Sequence, residues 1–292
     1  AIYSHRTSFS RFLCVSSVNC APVCKTCELK HVETRCPMDP DTEDALKPGD
    51  LNAMFERIVA DPYYRQFEPV VLSRPDYAPG DSPETADYKI GIWMVMFENA
   101  LSDEEADRMI ELGGIRGYER SSDVGVEKAD GTYTNYVNKG RTSNNAWCTH
   151  ECYTDPIAVR LMDRIANITG IPHENSENLQ LLRYEKTQHY QTHSDYIPYQ
   201  LQRPCGVRVL TYYMYLSDVE EGGGTNFPRM GATVTPKKGR AVLWPSVFNE
   251  DPNTKDIRAD HQALPVIQGT KYGANAWIHQ RDYQAPNKIG CS

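Results

Sequence analysis

The chain has 292 residues, enough for one large domain with an extension, and its formal net charge is −8 with an isoelectric point near 5.5. This acidic balance argues against nucleic acid as a main partner, because phosphate backbones are bound by clustered Lys and Arg. The sequence has no run of 18 or more apolar residues, which argues against a transmembrane helix within it.

Cysteine is dense at the start of the chain. Five of the nine cysteines fall in the first 40 residues: Cys14, Cys20, Cys24, Cys27 and Cys36. The other four are Cys148, Cys152, Cys205 and Cys291. This usage is typical of disulfides in an oxidising compartment, and the odd total leaves at least one thiol free or paired between chains. A zinc knuckle formed by Cys24, Cys27, His31 and Cys36 is the alternative for the N-terminal cysteines. The spacing from Cys27 to His31 is one residue short of the usual knuckle, so disulfides are favoured.

Residues 1–88 are predicted to form an N-terminal extension. Up to about residue 45 it is predicted to be irregular and cross-linked by disulfides. Asp50 is the predicted N-cap of a helix that Pro62 ends, because apolar residues between them recur at helical spacing. Proline and glycine are frequent over residues 68–88 and predict an extended linker. A main domain over residues 89–285 and a tail over residues 286–292 complete the predicted organisation.

The first half of the main domain is predicted to mix one strand with two helices. Residues 90–97 read as the first core strand, and Ser102 is the predicted cap of the first helix, in a capping box. A second helix is predicted to start at Asp155 and to end at Gly170. The polar stretch over residues 121–138 is interpreted as a surface loop, with a mobile flap over a binding groove as the alternative.

The second half is predicted to be rich in buried strands. Residues 205–216 and 241–244 are apolar and β-branched or aromatic, and three glycines at 222–224 end the first of them. In the last strand, residues 271–279, the odd-numbered side chains share one face, so Lys271 lies on the face opposite to Ala274.

The most informative motif is His193-Ser194-Asp195, within a predicted strand over residues 190–196. Side chains at i and i+2 of a strand point to the same face, so an imidazole and a carboxylate converge there. His261 in a distant strand would complete a set of two histidines and one carboxylate, which is the ligand set of non-haem Fe(II) oxygenases. Lys271 then offers a positive charge for a co-substrate carboxylate. Taken alone, the first motif is more often two polar residues on a solvated strand.

Several separate segments agree in order and spacing with one known family. They are Arg141-Thr142-Ser143, residues 179–185, His193-Ser194-Asp195, residues 220–228, and the stretch from His261 through Lys271 to His279. From about Ile90 to Asp282 the chain resembles the catalytic domain of prolyl 4-hydroxylases, which are Fe(II)- and 2-oxoglutarate-dependent dioxygenases. The resemblance implies a mainly β fold with flanking helices, a double-stranded β-helix (jelly roll).

The resemblance also implies roles for the residues that would hold iron and 2-oxoglutarate. His193, Asp195 and His261 match the iron ligands, and Lys271 matches the lysine that pairs with the C5 carboxylate of 2-oxoglutarate. Hydrogen bonds to 2-oxoglutarate are implied for two further residues, Tyr184 and Thr225. For Tyr184, an amphipathic core tyrosine is the alternative.

Four further residues match family positions in or near the active site. Tyr190 matches a tyrosine near that proline, while Arg208 and Trp277 match residues that line the peptide and cofactor site. Arg208 sits in an apolar strand and therefore needs a ligand, a carboxylate or a backbone partner. His279 matches a histidine near the site that is not a metal ligand, with a hydrogen-bonded core histidine as the alternative.

The activity that the resemblance implies is hydroxylation of peptidyl proline at C4, coupled to oxidative decarboxylation of 2-oxoglutarate to succinate and CO₂. Fe(II), 2-oxoglutarate, O₂ and ascorbate are the implied cofactors, and a proline-rich polypeptide is the implied partner. Such a substrate suits an aromatic groove, because a polyproline II helix is preformed. Two alternatives remain: a different substrate for the same chemistry, or a non-catalytic extracellular binding module on the same fold.

The cysteines and the sequon Asn167-Ile168-Thr169 favour the secretory pathway (endoplasmic reticulum or Golgi lumen) or the extracellular space. No retention tetrapeptide ends the sequence. Because the sequence starts at Ala1 without an initiator Met, removal of a targeting or anchoring segment is expected, and a membrane tether is expected only through such a segment.

Overall fold

A computed structural model of the chain describes residues 36–76, 91–127 and 133–292. The first four cysteines, the zinc-knuckle alternative and most of the predicted linker lie outside the described residues. Within these residues no helix has both the length and the apolar character needed to cross a membrane. The predicted domain boundaries stay predictions.

Four α-helices are described: α1 (Asp50–Ala60), α2 (Asp103–Arg116), α3 (Pro156–Thr169) and α4 (Gln284–Lys288). The capping box of α2 is confirmed, since the Ser102 hydroxyl accepts from the Glu105 backbone N–H and the Glu105 carboxylate accepts from that of Ser102. Helix α3 begins and ends as predicted, with Gly170 in the left-handed conformation at φ 76°. Helix α1 differs, because Gly49 occupies its N-cap position.

Sixteen strands are described. They are β1 (Pro69–Ser73), β2 (Met94–Phe97), β3 (Glu119–Arg120), β4 (Asp123–Glu127), β5 (Tyr133–Tyr136), β6 (Asn144–Trp147), β7 (Gln180–Tyr184), β8 (Tyr190–His193), β9 (Arg208–Tyr215), β10 (Glu221–Gly222), β11 (Thr225–Phe227), β12 (Ala232–Val234), β13 (Ala241–Pro245), β14 (His261–Ala263), β15 (Val266–Gln268) and β16 (Lys271–His279). The main sheet has the order β1-β2-β13-β9-β16-β7-β6-β3, and a second sheet has the order β12-β11-β14-β8.

The two sheets bury a common core. Leu182 and Tyr213 of the main sheet belong to the same apolar cluster as Phe227 and Val234 of the second sheet. The opposite face of the main sheet packs against helices α1, α2 and α3 in a separate and larger cluster. This mainly β arrangement with helices outside is the jelly-roll fold that the sequence predicts.

The face assignment for β16 is confirmed. Ala274, Ala276 and Ile278 pack in the helix-side cluster, while Lys271 and Asn275 line a pocket on the other face. The alternation therefore places the predicted cofactor lysine between the two sheets.

Two predicted irregular segments contain strands instead. Pro69–Ser73, within the predicted linker, pairs antiparallel with β2 at the sheet edge, and β2 itself starts at Met94 rather than at Ile90. An edge strand tolerates the proline, and its valines suit a pleated surface. The predicted loop over residues 121–138 contains an antiparallel pair formed by β4 and β5. Local composition missed these strands, because the pairing partner stabilises each of them.

Two disulfides join described cysteines, Cys36 to Cys291 and Cys148 to Cys152, while Cys205 is a buried free thiol. Disulfides are thus confirmed for this part of the chain. The first closes a separation of 255 residues and the second a separation of only 4. The Cys36–Cys291 disulfide ties the segment before α1 to the C-terminal tail.

Loss of the long-range disulfide is expected to destabilise the protein more than loss of the short one. Serine at both Cys36 and Cys291 should lower the free energy of unfolding by about 4–5 kcal/mol, against about 2 kcal/mol for Cys148 and Cys152, because loop-closure entropy grows with loop length. Urea denaturation of the two double variants measures the difference. Equal losses would contradict this chain-entropy account.

Candidate metal centre

The two predicted imidazole ligands are cross-strand neighbours. His193 ends β8 and His261 begins β14, and the antiparallel register places them opposite each other, with ring centroids 4.4 Å apart. Asp195 lies in a bend after β8, because the strand ends at His193 and not at residue 196 as predicted. The chain turn, rather than strand alternation, therefore brings this carboxylate to the imidazoles.

The three side chains converge on one point. Nε2 of His193 lies 3.8 Å from Oδ1 of Asp195, and Nε2 of His261 lies 3.6 Å from Oδ2. One ligand atom from each residue lies within 4.8 Å of the others. These separations suit three donors on one face of a single ion.

Backbone carbonyls orient both imidazoles. Nδ1 of His193 lies 2.8 Å from the Gln191 carbonyl oxygen, and Nδ1 of His261 lies 3.0 Å from that of Ala259. A carbonyl only accepts, so each Nδ1 carries a proton, and in the neutral ring each Nε2 then presents its lone pair to the centre. Burial, with the neighbouring imidazole, lowers the pKa of His193 to about 3, which keeps this ring neutral.

The carboxylate of Asp195 is held in its ionised form. Burial acts to raise its pKa, but its surroundings, which include the Arg208 charge and the Thr211 hydroxyl that donates a hydrogen bond of 2.6 Å, lower it overall. Two imidazole nitrogens and one carboxylate fit Fe(II), since they supply three ligands and leave coordination positions open. The role of Thr211 was not predicted, because this contact depends on how β9 lies beside the bend.

Lys271 is a buried cation without a countercharge. Its side chain begins β16 and is 1% exposed. Its Nζ lies 5.1–5.4 Å from the ring centroids of Tyr184, Tyr213 and Tyr215, and among the described residues no carboxylate forms an ion pair with it. Burial lowers its pKa to about 7. Because an uncompensated buried charge is costly, this arrangement indicates a site for an anion.

One pocket joins Lys271 to two of the predicted metal ligands, His193 and His261. Its lining includes six of the predicted site residues: Tyr184, Tyr190, His193, Thr225, His261 and Lys271. Thr225 lies opposite Ala263 of β14, and its hydroxyl accepts a hydrogen bond of 2.7 Å from Tyr215. The structure thus brings the predicted cofactor residues together, while their roles toward a cofactor stay predictions.

Tyr190 covers one of the metal ligands. Its ring stacks on His193 with centroids 3.6 Å apart, and its hydroxyl donates to Asp123 at 3.0 Å. The guanidinium of Arg141 lies 4.7 Å from the ring centroid of Tyr190 and pairs with Asp123 at 3.2 Å. Asp123 was missed in the sequence, because it lies in the stretch that reads as a surface loop.

Arg208 and Trp277 lie together beside this pocket and do not appear in its lining. The Arg208 guanidinium is 3.8 Å from the ring centroid of Trp277, and its Nε lies 2.5 Å from Oε1 of Glu177. Glu177 is therefore the carboxylate partner that a buried arginine requires. Its pKa falls to about 2, since Arg208 and His279 outweigh the opposing effect of burial. His279 is fully buried and lies 2.9 Å from the same carboxylate, as the core-histidine interpretation predicts.

Comparison with known proteins points to one enzyme family. Residues 179–279 match the family model described as the 2OG-Fe(II) oxygenase superfamily. The chain is 34% identical over 195 residues to prolyl 4-hydroxylase subunit alpha-1 of Gallus gallus, over 64% of this chain and 36% of that subunit. It is also 34% identical over 218 residues to probable prolyl 4-hydroxylase 7 of Arabidopsis thaliana, over 67% of this chain and 66% of that protein.

A solved viral structure is also similar. The collagen prolyl hydroxylase of Paramecium bursaria Chlorella virus-1, in a 2OG complex, superposes with a TM-score of 0.49 and 26% identity, over 64% of this chain and 95% of that one. The present chain spans about a third of the chicken subunit, at 36%. The region matched by the family model contains all three metal ligands and Lys271.

Proposed function

We propose that this chain is a 2OG-Fe(II) oxygenase, the superfamily whose model matches residues 179–279, and that it hydroxylates prolyl residues of proline-rich polypeptides at C4. The observation that carries the proposal is the convergence of His193, Asp195 and His261 beside a pocket in which Lys271 lies buried without a countercharge among the described residues. A metal-ligand triad alone suits many reactions. A triad beside a buried cation suits a metal-bound co-substrate with a free carboxylate.

The protein residues would bind and orient the reactants. His193, Asp195 and His261 would hold Fe(II) from one side, and Lys271 would pair with the distal carboxylate of 2-oxoglutarate, which excludes shorter keto acids. Tyr184 and Thr225 would donate hydrogen bonds to the same molecule. With Fe(II) and O₂ bound, decarboxylation of 2-oxoglutarate to succinate and CO₂ supplies the oxidation that places oxygen on the substrate carbon.

Prolyl residues are proposed as the substrate because the chain resembles proteins named prolyl 4-hydroxylases in both an animal and a plant. Tyr190 would lie near the acceptor residue, since its ring stacks on His193. Arg208 and Trp277 would bind the polypeptide beside it, with Glu177 holding the guanidinium in place. A complete ligand set speaks against a purely structural module.

The test is to incubate the purified protein with Fe(II), ascorbate, 2-oxoglutarate and a proline-rich peptide and to weigh the peptide. A gain of about 16 Da on proline that requires 2-oxoglutarate supports the proposal. Bound iron with 2-oxoglutarate turnover but no such gain would indicate a different substrate. Failure to bind iron would favour the non-catalytic alternative.

A secretory or extracellular location, with ascorbate as the reductant of the iron, completes the proposal. Both disulfides among the described cysteines require an oxidising environment to persist. Asn167 of the sequon is exposed near the end of α3, where a glycan is proposed to be attached. Mass spectrometry of the protein made in a secretory host, before and after glycosidase treatment, tests the glycan.

The affinity for 2-oxoglutarate is expected to fall as the pH rises above 7. Burial lowers the pKa of Lys271 to about 7 in the free protein, and a bound carboxylate raises it, so between these two values binding takes up a proton. The dissociation constant should then increase by up to about tenfold per pH unit. Anaerobic calorimetry on the Fe(II) protein from pH 6 to 9 measures it, and a flat profile would show that Lys271 stays charged throughout.

A further inference from the structure

We infer that Trp147, an exposed tryptophan at the end of β6, binds the substrate polypeptide at a subsite away from the hydroxylated residue. The inference rests on the proposed function, since the ligand is an extended proline-rich chain. It adds a specificity-determining residue outside the pocket.

The sheet register places Trp147 on the same face as the pocket. Trp147 lies opposite Gln180 in the pairing of β6 with β7, and Gln180 lies opposite Asn275 in the pairing of β7 with β16. Directly opposed residues point to the same face of a sheet. Because Asn275 lines the pocket, the Trp147 indole projects from the face of the main sheet that borders the pocket.

A short series of contacts connects Trp147 to the metal centre. The Thr211 hydroxyl donates to Asp195 at 2.6 Å, and Thr211 lies opposite Trp277 in the pairing of β9 with β16. The rings of Trp277 and Trp147 are 6.1 Å apart between centroids, within the range of aromatic pairs. The face next to the metal ligands therefore continues as two adjacent indoles toward the outer part of the sheet.

Trp147 offers an open aromatic face to a polyproline II chain. It is 38% exposed, whereas Trp277 beside it is 5% exposed. Proline-rich chains present flat pyrrolidine rings on a preformed helix, and such rings pack against exposed aromatic faces.

The backbone that carries Trp147 is held in place. The Cys148 N–H donates to the Leu179 carbonyl at 2.9 Å, and the Cys148–Cys152 disulfide closes the turn that follows. The Thr149 N–H donates to the carbonyl of Trp147 itself, also at 2.9 Å. A preorganised aromatic surface loses little conformational entropy when it binds a ligand.

The experiment compares Trp147→Ala, Trp147→Phe and Tyr153→Ala on a short and a long proline-rich peptide. Tyr153 is a matched control, because it is also 38% exposed and follows the same disulfide. Trp147→Ala should raise KM for the long peptide by about fivefold to twentyfold, which is typical of losing one aromatic contact at an interface. The values of kcat, KM for 2-oxoglutarate and KM for the short peptide should not change, and phenylalanine should restore most of the affinity.

Peptide binding without turnover separates this inference from the proposed function. Fluorescence anisotropy of a labelled long peptide on the protein loaded with a redox-inert divalent metal should show weaker binding only for Trp147→Ala. If the wild-type protein binds the peptide through Trp147 but does not hydroxylate it, the proposed function fails and the subsite stands. If Trp147→Ala hydroxylates the long peptide with the KM of Tyr153→Ala, the subsite is overturned and the function stands. An equal effect on both peptide lengths would also overturn it, since that would indicate a structural role.

Discussion

Replacement of His193 by alanine is expected to abolish succinate formation and to lower the affinity for Fe(II) by at least about a hundredfold. The removal of residues that merely orient a ligand already costs ten- to a hundredfold, and this change removes a ligand itself. It leaves Asp195 and His261 as two of the three predicted ligands. The cavity also opens beneath Tyr190, which stacks on the lost ring.

Two measurements check this prediction. Anaerobic calorimetry gives the Fe(II) affinity, and the release of succinate gives turnover. The control is His173→Ala, because His173 is partly exposed in a short helical turn after α3 and lies among surface carboxylates. Peptide-dependent turnover that survives in His193→Ala would refute the iron assignment, whereas a loss in both variants would indicate a general effect on folding.

Replacement of Lys271 by methionine is expected to weaken 2-oxoglutarate binding by roughly ten- to a hundredfold while Fe(II) binding stays unchanged. Methionine keeps the volume and the apolar stem but removes the charge, and hydrogen bonds to charged groups contribute about 1.5–3 kcal/mol. Calorimetry on the Fe(II) protein measures both affinities. Lys186→Met serves as the control, because Lys186 is exposed after β7. Unchanged 2-oxoglutarate affinity would show that another residue binds the distal carboxylate.

The same substitution is expected to stabilise the protein when no ligand is bound. Burial lowers the pKa of Lys271 to about 7, while the unfolded chain keeps the ordinary higher value, so the folded state binds fewer protons between these values. Lys271 therefore destabilises the fold most below pH 7, where it is charged in both states. This destabilisation declines as the pH rises from about 7 to the ordinary lysine pKa of 10.5. Lys271→Met should raise the free energy of unfolding by several kcal/mol at pH 6 and by less at pH 9. Such a gain with lost binding is the usual trade-off at a functional site.

Local patterns in the sequence were sufficient to predict several helix ends, the face on which Lys271 lies and the class of metal site. The capping box at Ser102 and the helix end at Gly170 depend on contacts within one turn, so a few neighbouring residues decide them. The face on which Lys271 lies follows from strict alternation along β16. The residue types and order of His193, Asp195 and His261 restricted the chemistry, because few metals and reactions suit two imidazoles and one carboxylate.

Tertiary structure decided the contacts between distant segments. Glu177 as the partner of Arg208, Thr211 as the partner of Asp195, and the pairing of β1 with β2 all depend on sheet register. Register is set by the packing of whole strands, and no short stretch of residues records it. The sequence identified Trp277 as a site residue. It could not identify Trp147, because only the register of β6, β7 and β16 places Trp147 beside Trp277.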